Sequence, residues 1–194
     1  MNTLGIARSI VAAVFLAIGA FAQGTQSVQP VTSVDLQRFG GTWYEIARYP
    51  NKFQKQCVGN NTSTYIVKSG GNIEVQNKCL KKDGTTDLAR AEARIADNAS
   101  NAKLKVRTAR GFLSPFGSGW ADYWILDLGP NYEYAVVGHP DREYVWILSR
   151  KPQLSDVVYQ QILRRLETQG YRPGKLERTA QNVEPIKGSV VNRP

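Results

Sequence analysis

The sequence predicts an all-β fold, an antiparallel barrel or sandwich of about eight strands with one helix near its C-terminal end. Three observations carry this. Short apolar and β-branched runs recur along the 194 residues, separated by turns rich in Gly, Pro and Asn. Tyr outnumbers Phe, nine to six, and four Trp are spread along the chain, as suits sheets with half-polar faces. A single stretch after the last run shows apolar residues at helical spacing. Hydrophobic residues at 42% and charged residues at 21% are ordinary for one globular core, which excludes a largely disordered chain.

The segment 1–22 stands apart. Arg8 precedes the apolar run Ile10 to Phe21, and Ala20-Phe21-Ala22 forms an A-x-A cleavage site before Gln23. The run is short for a bilayer span, so it reads as a signal peptide, and the mature chain is expected in the periplasm or secreted. No Cys lies near the junction, so a lipid-modified N-terminal Cys is not expected; outer-membrane association would need another route. The polar stretch 23–33 reads as a flexible leader, 34–180 as the folded domain and 181–194 as a loose tail.

Between these lie the strands. Gly41 to Tyr49 is the first. Thr62 to Lys68 and Asn72 to Cys79 follow, joined by the hairpin signal Ser69-Gly70-Gly71. Leu88 to Ala96 comes after the turn Lys82-Asp83-Gly84, and Lys103 to Thr108 after a polar link. A longer Gly- and Pro-containing loop, Gly111 to Gly119, leads to Trp120 to Leu128. Tyr132 to Gly138 and Tyr144 to Arg150 complete the set, each entered through a Pro-containing turn. In Tyr144-Val145-Trp146-Ile147-Leu148 both faces are apolar, as expected of a strand with a cavity on one side and a helix on the other.

The helix is read from Leu154, Val157, Val158, Ile162 and Leu166, with Ser155 as N-cap and Gly170 as the C′ stop. It is expected to pack on the wall, with a short strand around Lys175 to Thr179 after it.

Charge and reactive residues narrow the function. The net charge of +9 falls to about +8 once Arg8 leaves with the signal, which favours solubility and attraction to an anionic membrane surface. The basic residues are scattered and accompany no nucleic-acid fold motif, so no nucleic-acid partner is expected. With one His and two Cys, no metal site and no cofactor are expected. His139 sits in a turn beside Asp141 without a nucleophile motif, so the chain does not read as an enzyme. Glu45 has inward parity without a second acid, and pairing with an Arg near the closed end is the plainer account. Cys57 and Cys79 flank the hairpin near Gly70 and read as a disulfide, with two buried thiols as the alternative.

Gly41-Thr42-Trp43-Tyr44-Glu45-Ile46-Ala47-Arg48 resembles the G-x-W motif of lipocalins, and Trp146-Ile147-Leu148-Ser149-Arg150 resembles the family's third signature. The likeness covers roughly Val34 to Thr179 and is greatest to the bacterial Blc-type, plant temperature-induced and animal apolipoprotein D subgroup. The middle T-D-Y motif of other lipocalins is replaced by Gly129-Pro130-Asn131-Tyr132. The resemblance implies a closed eight-stranded antiparallel up-and-down β-barrel with one C-terminal α-helix on its wall. It implies a carrier of a lipid-like small molecule, such as a fatty acid or lysophospholipid, working as a monomer or weak homodimer. Haem or bilin carriage, an enzyme of the same barrel class and a ligand-free interaction scaffold are the rival readings.

In such a barrel Gly41, Trp43 and Arg150 are structural, with Trp43 plugging the narrow end under the Arg150 guanidinium. Alternation and the resemblance together give the inward, ligand-facing set. On the second and third strands it comprises Ser63, Tyr65 and Val67, then Ile73 and Val75. The next strands add Ala91 and Ala93, then Leu104 and Val106. Tyr123 and Ile125, then Ala135 and Val137, precede the last strand's Tyr144, Trp146 and Leu148.

Overall fold

The computed structural model describes residues 27–108 and 119–184. Eight strands follow one another around a closed ring. They are β1 (Gly41–Arg48), β2 (Cys57–Val67), β3 (Ile73–Lys81), β4 (Thr86–Ile95), β5 (Lys103–Thr108), β6 (Ala121–Leu128), β7 (Tyr134–Gly138) and β8 (Val145–Ser149). Each pairs antiparallel with its neighbour, and β1 pairs with both β8 and β2, so the sheet closes into a barrel and not a sandwich. Helix α1 (Leu36–Phe39) precedes β1, and α2 (Asp156–Thr168) follows β8. A short β9 (Glu177–Arg178) then pairs with Ala47 and Arg48 of β1.

Alternation divides the apolar residues into two clusters, one on each side of the sheet. Inside, Phe39, Trp43, Ile73, Leu104, Ile125 and Val137 are buried together and fill the end from which β1 starts. Outside, Ile46, Val136, Val145 and Ile147 meet Tyr159, Ile162 and Leu166 of α2. The double-sided apolar character of β8 thus has the expected cause. Ser155 caps α2 by accepting from the Val158 amide, and Gly170 follows the helix with φ +79°.

Several elements differ from the sequence expectation. Val157 is 69% exposed, and Tyr159 takes the buried position assigned to it, because the face that meets the barrel is rotated from the Val157 stripe. The leader is packed from residue 27 on: Val28 and Val34 are buried, and the Val31 amide donates to the Ile125 carbonyl. Asp35, accepting from the Gln37 and Arg38 amides, starts the unexpected α1 across the barrel's end. Strand β2 begins at Cys57, earlier than expected, and runs through an irregularity at Asn60, whose φ is +54°. The short strand expected around Lys175 to Thr179 does form, as the two residues of β9 after a 3-10 turn at Pro173–Lys175.

The tail is also ordered where it begins. Gln181 Nε2 donates to the carbonyls of both Glu45 and Asn61, and Asn60 exchanges two hydrogen bonds with Val183. These residues fill the seam where β1 and β2 separate beyond the Tyr44–Thr62 pair. The segment expected as a signal peptide, most of the loop Gly111 to Gly119 and the end of the tail lie outside the described residues.

Candidate functional site

One end of the barrel is shut and the other opens on a cavity. At the shut end, Trp43 is fully buried and its Nε1 donates to the Phe39 carbonyl at 2.8 Å. The Arg150 guanidinium lies 3.7 Å from the Trp43 ring centroid and donates to the carbonyls of Arg38, Phe39, Gly40 and Thr42. Gly41, at φ +89°, makes the turn from α1 into β1 in a backbone region that L side chains resist.

Above this floor is a cavity of about 200 Å³. That is room for on the order of a dozen waters, so the barrel is not filled by its own side chains. Small residues make the space: Ala89, Ala91 and Ala93 of β4 line it where larger side chains would reach across.

The inward set divides by depth. Tyr65, Val75, Ala91, Ala93 and Val106 line the cavity, as do Ser63 and Tyr123. Tyr144, Trp146 and Leu148 complete that wall from β8 and the loop before it. Val67, Ile73, Leu104, Ile125, Ala135 and Val137 face inward but do not reach it. They belong to the buried cluster around Trp43 and Phe39, and all but Val137 lie in the closed-end halves of their strands. Parity fixes a residue's face and leaves its depth open.

The cavity wall is two-sided. Val75, Val106, Ala121, Trp146 and the β4 alanines supply apolar surface; Glu45, Gln54, Asn61, Ser63 and Asn77 supply polar groups. Glu45 is 4% exposed and accepts from Asn61 Nδ2 at 2.8 Å, Thr179 Oγ1 at 2.6 Å and Gln54 Nε2 at 2.6 Å. Its nearest cation is Arg48, with Nε 3.7 Å away, and not an Arg at the closed end as expected. The cause is a bulge in β1: an extra residue between Glu45 and Ala47 sets Arg48 opposite Trp146, on the face Glu45 occupies.

The Tyr65 and Tyr123 hydroxyls are 2.5 Å apart inside the barrel. Burial pushes the Tyr65 phenol up to about 12. Burial, with Tyr65 and the Glu45 charge beside it, holds Tyr123 well above the usual phenol range.

At the mouth, the loop 49–56 folds inward. Asn51 Oδ1 accepts from the Phe53 and Gln54 amides, Gln54 Oε1 accepts from Trp146 Nε1, and Cys57 is bonded to Cys79. Tyr144 stacks on Trp146 at 6.0 Å and meets Phe53 at 5.7 Å. His139 occupies the expected turn, contacts Asp141 at 2.5 Å and also borders the cavity. Sequence reasoning missed Phe53, Gln54 and Gln56, which come from a loop without periodicity; Asn77, Ala89 and Ala121 follow from extending each strand's parity toward the open end. The charged residues of the wall are mixed in sign: Glu45, Asp87 and Asp122 against Lys78 and Arg107.

The family model described as a lipocalin-like domain matches residues 34–181. The chain is 34% identical to temperature-induced lipocalin-1 of Arabidopsis thaliana over 166 residues, covering 85% of this chain and 89% of the relative. It is 35% identical over 151 residues to the outer membrane lipoprotein Blc of Escherichia coli strain K12, covering 77% of this chain and 81% of the relative. Rat apolipoprotein D is 38% identical over 131 residues, 62% of each chain. Among solved structures, insecticyanin of the tobacco hornworm Manduca sexta superposes with a TM-score of 0.61 at 21% identity, covering 81% of this chain and 86% of that one. Lobster apocrustacyanin A1 gives 0.60 at 14%, covering 81% and 92%. At such identities the structural likeness speaks for the fold alone.

Proposed function

The chain belongs to the lipocalin family, and on that premise we propose that it binds and releases one hydrocarbon-chain amphiphile, of the fatty acid or lysophospholipid kind, and catalyses no reaction. The observation that carries this reading is the cavity itself: closed below by Trp43 and Arg150, lined on one side by Val75, Val106 and the β4 alanines, and bordered above by Phe53 and Tyr144. Burying a hydrocarbon chain there gains about 25 cal/mol per Å² of apolar surface, enough for micromolar binding by a chain of about a dozen carbons. The ligand-facing residues in this reading are those on the cavity wall, with Trp146 and Tyr144 at the entrance.

The disulfide suits an extracytoplasmic setting, and we place the mature protein in the periplasm or outside the cell. There its excess positive charge favours encounter with anionic lipid surfaces, from which a ligand could be drawn, in storage, transport or maintenance of envelope lipids. Native mass spectrometry of protein purified from its own compartment tests the reading. A co-purified acyl lipid that Trp146→Asp fails to retain is expected. An empty protein that also takes up no added fatty acid or lysophospholipid would overturn it.

A further inference from the structure

We propose that Glu45 forms the centre of a head-group subsite that takes a hydrogen-bond-donating, uncharged or cationic head and discriminates against a carboxylate; this deepens, and rests on, the carrier reading above. Glu45 is the one charged residue more than nine-tenths buried among the described residues, and it borders the cavity. Most other charged groups of the wall already have partners, and Lys78 is exposed to solvent. Arg107 pairs with Glu92, Asp122 with Lys105, and Asp87 accepts from Gln56. Arg48 tempers the Glu45 charge from 3.7 Å but does not line the cavity, so a ligand meets the carboxylate and not the guanidinium.

The hydrogen-bond inventory points the same way. A carboxylate has about four acceptor positions. Asn61 and Thr179 occupy Oε1 and Gln54 occupies one position of Oε2, which leaves one. Asn61 must turn its Nδ2 toward Glu45, since two acceptors would otherwise face each other. Its Oδ1 is consequently buried with no partner among the described residues. Ser63 donates to Asn77, and the Tyr65 and Tyr123 hydroxyls bond to each other. Vacant acceptors thus gather on the polar side of the cavity, around a negative charge.

A hydroxyl or ammonium group answers these acceptors. A carboxylate offers no hydrogen and brings a second negative charge into a partly desolvated space. A free fatty acid therefore carries the wrong head for this site, while a glycerol-linked acyl chain carries a suitable one.

The test compares two ligands with the same lauroyl chain, 1-monolauroylglycerol and laurate, titrated at neutral pH into the full-length mature protein by calorimetry. Monolauroylglycerol is expected to bind at least about tenfold more tightly, and Glu45→Gln to reduce the ratio below about threefold, chiefly by improving laurate. Dodecylammonium, titrated into the unaltered protein, is expected to outbind laurate as well, which keeps the proposal testable if the variant does not fold. Laurate binding as tightly as the other two, or a preference unchanged by Glu45→Gln, would overturn the subsite. Binding of none of the three would instead overturn the carrier reading on which it rests.

Discussion

The Arg150 guanidinium lies 3.7 Å over the Trp43 ring while donating to four main-chain carbonyls, those of Arg38, Phe39, Gly40 and Thr42. One side chain from the end of β8 thereby holds α1, the start of β1 and the plug residue in a single arrangement. Arg38 and Phe39 end α1, Gly40 follows it, and Thr42 precedes the start of the β1–β8 pairing at Tyr44, so this fork satisfies carbonyls that the helix end and the β8 ladder leave open.

Arg150→Ala should therefore cost more than a lost surface contact. Charge-assisted hydrogen bonds and the cation–π contact together give about 2–4 kcal/mol, and a melting temperature lower by roughly 5–15 °C. Arg150→Lys should fall between, since an ammonium keeps the charge but cannot reproduce the planar fork. Thermal melts followed by circular dichroism check both. Equal stability of Arg150→Ala and the parent would remove the structural role.

The Cys57–Cys79 bond joins strand ends 22 residues apart in sequence, with Cα atoms 5.5 Å apart. Restricting the unfolded chain over such a loop contributes about 2–4 kcal/mol. Because Cys57 directly follows the loop 49–56, its loss should also free Gln54 and Phe53 at the mouth. The paired Cys57→Ser and Cys79→Ser variant is expected to unfold at lower urea and to show faster amide exchange in that loop than in β7.

What the sequence disclosed, and what it withheld, divides along physical lines. Trp43 and Arg150 were legible because a local motif fixes them, and Val145 and Ile147 because a two-residue period fixes a strand's faces. Depth was not legible. Ala91 borders the cavity and Leu104, equally inward, is floor, and the level between them is set by Phe39, α1 and the packed segment before it, which carry no periodic signal. Nor could parity foresee Glu45 and Arg48 on one face, since one inserted residue at the β1 bulge reverses the alternation beyond it. Gln54 reaches the site from a loop, and Gln181 from a segment whose composition reads as tail.

The buried phenols give a pH dependence with a definite sign. Tyr65 rises from an ordinary value near 10.0 to about 12, and Tyr123 is also held well above the ordinary value, both first by burial. Their contribution is fully present below the unfolded value and is lost as pH climbs from about 10 through 12, because the unfolded chain ionises first. Each group steepens the fall by about 1.4 kcal/mol per pH unit. The double variant Tyr65→Phe, Tyr123→Phe should lose stability less steeply over this window in urea titrations. An identical slope would contradict the assignment.

Ala91 tests the cavity without disturbing the ends of the barrel. It borders the empty space on the apolar side, so a phenyl ring from Ala91→Phe can occupy volume that is unfilled in the parent. Stability should change by less than about 1 kcal/mol, whereas affinity for a long-chain amphiphile should fall by about tenfold or more. Affinity unchanged, with the fold intact, would place the ligand elsewhere.

The seam between β1 and β2 leaves no room for a side chain at Gly59. A Cβ added at Gly59 would stand 2.6 Å from the Ala180 carbonyl oxygen and 2.6 Å from Val183 Cγ2. The first of these is backbone and cannot swing aside, so Gly59→Ala must displace the segment that bridges the seam. That segment is held by the Asn60 amide on Ala180, by the Thr179 amide on Ile46 and by Gln181 on both strands. The displacement should break several of these bonds together, lower stability by about 1–3 kcal/mol and speed exchange of the Asn60 and Thr179 amides ahead of global unfolding. It should also loosen Glu45, which loses the Thr179 hydroxyl at 2.6 Å. Ala180→Gly would not relieve the clash, because the obstructing atom is main chain. Removal of the residues beyond Arg178 would relieve it, at the cost of the seam. If Gly59→Ala leaves amide exchange at Asn60 unchanged, the segment does not bridge the barrel in solution.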